Sequence, residues 1–155
     1  MHPRAAELIS TLGLEPHPEG GYFRRVYESP KQVRVNGVQR PSITSIQFLL
    51  TQGVSSRWHR VDAAEVWDWQ EGSEVVLTTY DADHSTLSRV QLGSAAQGGQ
   101  ALQVVPAGIW QTARTHGAYS LVNCSVTPGF VWDGLEMLDE SSALAAELRA
   151  AGGLE

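Results

Sequence analysis

His59 and Glu65 are the two side chains whose types and spacing point most directly to chemistry. An imidazole gives or accepts a proton near neutral pH, and a nearby carboxylate orients the ring and favours its charged form. Side chains alternate along a strand, so Arg57, His59 and Val61 share one face of an extended segment. A short turn then brings Glu65, Trp67 and Trp69 onto the next strand. With both faces turned inward, His59 and Glu65 converge in one pocket, and that pair suffices for acid–base work without a metal. On this reading His59 is the base, Glu65 its partner, and the imidazole pKa is raised. The competing reading makes His59 a half-buried ring satisfied by a backbone carbonyl and Glu65 a surface carboxylate.

Other residues fit around that pair as ligand contacts. Gln111 offers a donor and an acceptor to a substrate amide or hydroxyl, or else ties strands together. Trp67 shares the expected face of Glu65 and suits a stacking wall. Phe48, on the face with Thr44 and Ile46, is a weaker candidate of the same kind. Tyr22 and Arg24 share a face and are expected nearer the mouth, closing over an anion. Gly20-Gly21 lacks the Lys-Ser/Thr ending and the helix of a phosphate loop, so it reads as a tight approach to a strand. Cys124, between Val122 and Val126, reads as a buried, inert thiol.

The elements needed to hold these residues are mostly strands. Ala5, Leu8, Ile9 and Leu12 recur at helical spacing, with Gly13 as the stop. Ser141 or Ser142 can cap a second helix through Leu144 and Leu148 to Gly152-Gly153. Between them about ten short strands are expected: Tyr22–Tyr27, Ile43–Leu50, Arg57–Val61, Glu65–Trp69, Glu74–Tyr80, Thr86–Gln91, Leu102–Val105, Trp110–Arg114, Tyr119–Val126 and Phe130–Leu135. That spacing predicts an antiparallel sandwich or barrel. No long linker divides the 155 residues, so residues 1–155 read as one domain.

Composition narrows the function classes. The net charge is −6, with 11 Lys and Arg against 17 Asp and Glu, which leaves no excess of cations for nucleic acid. Seven acids fall between Asp62 and Asp83 with no basic residue among them, either a solvated edge or a stretch with one or two acids turned inward. A single Cys rules out an internal disulfide framework. No apolar run is long enough for a membrane span, and no leader pattern is legible, so a cytoplasmic protein is expected.

The stretch from Gly53 through His59, Val61 and Glu65 to Gly72 resembles the first motif of the cupin superfamily, and Val105-Pro106-Ala107-Gly108-Ile109-Trp110-Gln111 resembles the second. His17-Pro18-Glu19-Gly20-Gly21-Tyr22-Phe23-Arg24 looks like the opening signature of the small Cupin_5 family, and Thr127-Pro128-Gly129-Phe130 also fits it. The resemblance spans about residues 12–138. It implies an all-β, single-domain cupin jelly roll with short terminal helices, related in fold to nucleotide-sugar epimerases, and a homodimer. It gives His17 a place at the pocket rim. Where the superfamily holds a metal with three His and a Glu, this sequence has Val61 and Gln111 at two of the His positions. No cofactor is therefore expected, and at most a weakly held divalent cation on His59, Glu65 and Gln111. The function implied is small-molecule binding in an interior pocket, with a sugar-derivative isomerase or epimerase as one reading. A non-catalytic module that binds or senses a small polar or aromatic ligand is the other.

Overall fold

In the computed structural model, which describes residues 1–154, the chain begins with helix α1 (Pro3–Leu12). Pro3 opens the helix, and Gly13, at φ +65°, ends it in the left-handed conformation that glycine adopts without strain. Thirteen strands follow: β1 (Glu15–Pro16), β2 (Tyr22–Glu28), β3 (Gln32–Val35), β4 (Val38–Pro41), β5 (Thr44–Thr51), β6 (His59–Val61), β7 (Ala64–Gly72), β8 (Val75–Asp81), β9 (Thr86–Leu92), β10 (Leu102–Val105), β11 (Trp110–Thr115), β12 (Tyr119–Thr127) and β13 (Leu135–Met137). Helix α2 (Ala143–Ala151) comes last, its first turn capped by Ser142 Oγ, which accepts from the Ala145 amide.

Two antiparallel sheets form the jelly roll. One runs β1-β2-β5-β12-β7-β10 and the other β13-β6-β11-β8-β9, with β3 and β4 as a separate hairpin. The inner faces meet in a core of Phe48, Leu50, Trp67, Val75, Leu77 and Val122, all almost fully buried. Strand alternation decides which residues enter it: along β11, Gln111, Ala113 and Thr115 are buried while Arg114 is exposed. α1 covers Leu49 and Leu121 on the outside of the first sheet. α2 sets Ala145 and Leu148 against Trp58, Tyr80 and Trp110 on the outside of the second.

Two local expectations are corrected. Residues 130–135 do not form one strand. Trp132–Gly134 is a turn of 3-10 helix, and only Leu135–Met137 pairs, with β6. The backbone there finds other partners: the Phe130 amide donates to Thr44 Oγ1, and the Gly134 carbonyl accepts from Asp62. The second is the β3–β4 hairpin, which the strand reading passed over. Its turn is Asn36-Gly37, with φ of +49° and +79°, the Asn-Gly pair that two-residue hairpins favour.

Candidate functional site

The turn from β6 to β7 carries His59 and Glu65 inward and is pinned from outside. Arg40 is buried and forks two nitrogens onto the Asp62 carboxylate, each at 3.0 Å, while its Nε donates to the Gly129 carbonyl at 2.7 Å. A planar guanidinium makes three such bonds in a fixed geometry, which an ammonium cannot reproduce.

A narrow cavity of about 40 Å³ opens between the sheets beside this turn. Its polar wall is formed by His17, Glu19, His59 and Glu65, and Cys124 also lines it. His59 is buried, and its Nδ1 lies 2.7 Å from the Arg57 carbonyl oxygen. A carbonyl only accepts, so Nδ1 carries the ring proton and Nε2 presents its lone pair to the cavity. There it meets Glu19 Oε2 at 3.2 Å.

Glu19 reaches this position because of the backbone around it. Its amide donates to His17 Nδ1, and its carbonyl accepts from the Arg57 amide at 2.6 Å. Gly20 and Gly21 then turn the chain at φ +108° and +76°. A Cβ on Gly20 would stand 2.9 Å from the Ser55 carbonyl, and one on Gly21 2.7 Å from the Leu49 carbonyl. Only glycine fits at both positions.

Burial sets the protonation of the group. It pushes the Glu19 carboxyl well above the usual carboxylate range, with the nearby Glu65 charge adding to the effect. Burial lowers the His59 pKa, partly opposed by the bond to the Arg57 carbonyl. Both shifts favour the uncharged forms, a protonated Glu19 and a neutral His59. Burial, aided by the nearby His59, lowers His17 to about 4, so its Nδ1 stays free to accept from the Glu19 amide. Glu65 is raised to about 7 by burial, against the bond it accepts from Gln111 Nε2 at 3.0 Å.

These placements differ from the sequence-based picture in particular ways. His59 and Glu65 line one cavity, but the carboxylate facing the imidazole is Glu19, and the imidazole pKa is lowered, not raised. Gln111 and Trp67 stand behind Glu65: Trp67 Nε1 donates to Gln111 Oε1 at 2.9 Å, and Gln111 donates onward to Glu65. Phe48 is packed edge-on to Trp67 in the core. Tyr22 packs with the α1 cluster, and Arg24 is exposed, donating to the Leu12 carbonyl. The cavity takes the other face of β2, Phe23 and Arg25. Tyr22-Phe23-Arg24-Arg25 places one aromatic residue and one arginine on each face, so alternation alone does not decide between them. Sequence reasoning also missed Glu19, whose signal was the glycine pair that follows it. It missed Trp132 as well, which is 53% exposed beside the cavity and stacks edge-on to Phe130 with centroids 5.0 Å apart.

A two-sheet jelly roll with an inward His–Glu turn is the architecture of a cupin. The family described as "Cupin superfamily (DUF985)", Cupin_5, matches residues 6–138, and the chain belongs to it. A hypothetical protein of Leishmania major is 30% identical, with a TM-score of 0.84 over 96% of this chain and 94% of that one. A protein of Shewanella oneidensis is 31% identical, with a TM-score of 0.83 over 96% and 92%. Oxalate decarboxylase of Bacillus subtilis shares the fold at 15% identity and a TM-score of 0.59, over 90% of this chain and 37% of that one. A search of curated proteins finds no match.

The superfamily's metal does not fit these donors. Val61 has nothing to ligate with, and Gln111 is committed to Trp67 and Glu65 on its two ends. His59 has one nitrogen on the Arg57 carbonyl and the other on Glu19. Among the described residues no three His, Cys, Asp or Glu side chains are grouped to hold an ion.

Proposed function

We propose that this cupin binds a small polar molecule at the His59 cavity and moves a proton on it, in the manner of a sugar-derivative isomerase or epimerase. The observation that carries the reading is the 3.2 Å approach of Glu19 Oε2 to His59 Nε2, both buried, where burial favours a protonated acid facing a neutral imidazole. A ligand group reaching the cavity can take a proton from a protonated Glu19 or yield one to His59 Nε2. Glu65, raised to about 7, is the second group, able to act as a base near neutral pH.

The size of the cavity defines what reaches these groups. Small-molecule sites usually span about 300–1,000 Å³, so 40 Å³ admits a hydroxyl or carboxyl group and leaves the rest of the ligand outside. The exposed face of Trp132, beside Phe130, is where a sugar ring would rest, with Arg25 nearby for an anionic substituent.

A non-catalytic binding or sensing module is the second reading, and the small cavity favours it. One experiment separates the two. Sugar derivatives that raise the melting temperature are incubated with the protein in D2O and followed by NMR. Exchange of a carbon-bound proton for deuterium supports the enzyme, and stabilisation without exchange supports the module.

The same reading includes a homodimer. β10 is an edge strand with Leu102 and Val104 exposed, so a second copy has both backbone and apolar surface to pair with. A monomeric mass by light scattering at micromolar concentration removes this part. No helix among the described residues is long and apolar enough to cross a membrane. The buried free thiol of Cys124 suits a reducing cytoplasm.

A further inference from the structure

The outer face of the second sheet carries a recess of about 490 Å³, a volume typical of small-ligand sites. α2 covers only part of this face. The recess lies between the C-terminal end of α2 and the segment leading into β6, where Gly152 and Arg57 both line it.

Three arginines, Arg57, Arg89 and Arg114, line it. Alternation along β11 turns Arg114 outward, because Gln111 and Ala113 face the core. The register places Thr112 opposite Thr78, and Thr78 opposite Arg89. Arg89 and Arg114 therefore rise from strands on either side of β8, on the same face. Arg57 reaches the recess from the segment before β6. The chain has a net charge of −6 and only ten arginines, yet three of them line one recess, where Glu140 is the one carboxylate among the described lining residues.

Among the described residues none of the three forms an ion pair, whereas Arg4, Arg25, Arg40 and Arg60 all do. Arg89 gives Nη2 to the Gly152 carbonyl at 2.7 Å, its one side-chain bond among the described residues. Like charges lining one recess repel, so an anion bound among them stabilises the arrangement.

We propose that this recess binds a small organic phosphate. A phosphate group offers several acceptor oxygens and about two negative charges, which matches forked guanidinium donors from several directions. Val76 and Leu138 give the recess apolar wall for the organic body. The site is separate from the His59 cavity, although the Arg57 backbone touches both members of the Glu19–His59 pair.

Calorimetric titration with inorganic phosphate and with glucose 6-phosphate tests the proposal, at constant ionic strength set by chloride. Saturable binding of both is expected, tighter for the ester. Arg57→Gln and Arg114→Gln each remove one exposed guanidinium, leave the fold intact, and weaken binding about ten-fold apiece. Glu65→Gln leaves phosphate binding unchanged, which separates this site from the cavity. Phosphate indistinguishable from chloride overturns the proposal, as does unchanged affinity in both arginine variants. Citrate binding as tightly as the phosphate ester overturns the ligand class.

Discussion

Glu19 Oε2 lies 3.2 Å from His59 Nε2, and the two residues are forty positions apart in a buried pair. The Arg57 backbone holds both: its amide donates to the Glu19 carbonyl, and its carbonyl accepts from His59 Nδ1. The ring therefore cannot turn to offer its other nitrogen without breaking a buried hydrogen bond, and the tautomer is set by the main chain.

Glu19→Gln separates binding from proton transfer. A glutamine amide copies the shape of the protonated acid and can donate to Nε2, so the fold and ligand binding persist. It has no transferable acid proton, and general acid–base catalysis contributes about 10²–10⁴-fold. Deuterium exchange into a bound sugar derivative should fall at least a hundred-fold at unchanged thermal stabilisation. Wild-type exchange rates in this variant would remove Glu19 from the chemistry.

Glu65 makes stability depend on pH in a stated direction. Its carboxyl titrates near 4.5 when unfolded and about 7 when folded. Between these values the folded state binds more protons than the unfolded state, so stability falls as pH rises. The loss amounts to roughly 3 kcal/mol across the window. His17 works in the opposite sense: its folded pKa of about 4 lies below 6.5, so its contribution is lost as pH falls towards 4. Glu65→Gln keeps an acceptor for Gln111 and cannot ionise. Urea unfolding at pH 4.5 and pH 7 should show the wild type losing about 3 kcal/mol relative to this variant. A difference that does not change with pH contradicts the burial of a titrating Glu65.

Arg40→Lys tests how the turn between His59 and Glu65 is held. The substitution keeps the charge but loses the two-pronged contact with Asp62 and the bond to Gly129. Bonds to charged groups are worth about 1.5–3 kcal/mol each, and Asp62 is half exposed, so water compensates part of the loss. A destabilisation of roughly 2 kcal/mol in chemical denaturation is expected. A cost below about 0.5 kcal/mol, the usual range for a surface change, means the turn holds itself.

The fold was largely legible because strand periodicity and turn residues are local signals. Both helices could be placed from their glycine stops and apolar spacing. What alternation could not supply was parity on β2, since Tyr22-Phe23-Arg24-Arg25 has the same chemistry on either face. Nor could it supply Glu19, which reaches His59 through a long-range contact made by a loop. Gln111 shows a third limit. Its position in the second motif pointed to the interior, but its bonds to Trp67 and Glu65 depend on β11 of one sheet meeting β7 of the other.

Metal affinity gives the last test of the donor set. His59 and Glu65 face one cavity with Val61, which comes from the same face of β6 as His59 and lines the same wall. Of the four positions where the superfamily carries ligands, only His59 and Glu65 keep a good donor, and two fall short of the three that catalytic zinc sites use. Protein purified without added metal should hold well under one equivalent of zinc, iron, manganese or nickel by mass spectrometry. Val61→His adds a second imidazole two residues from the first, with Glu65 as the third donor. Zinc must still draw His59 Nε2 away from Glu19, and deprotonate that pair, so the gain should grow with pH. Titration at pH 7.5 should show zinc binding at least ten-fold tighter to Val61→His than to the wild type. Stoichiometric metal in the wild type, or no gain in the variant, would show that the cavity's donors are not limited by the residue at position 61.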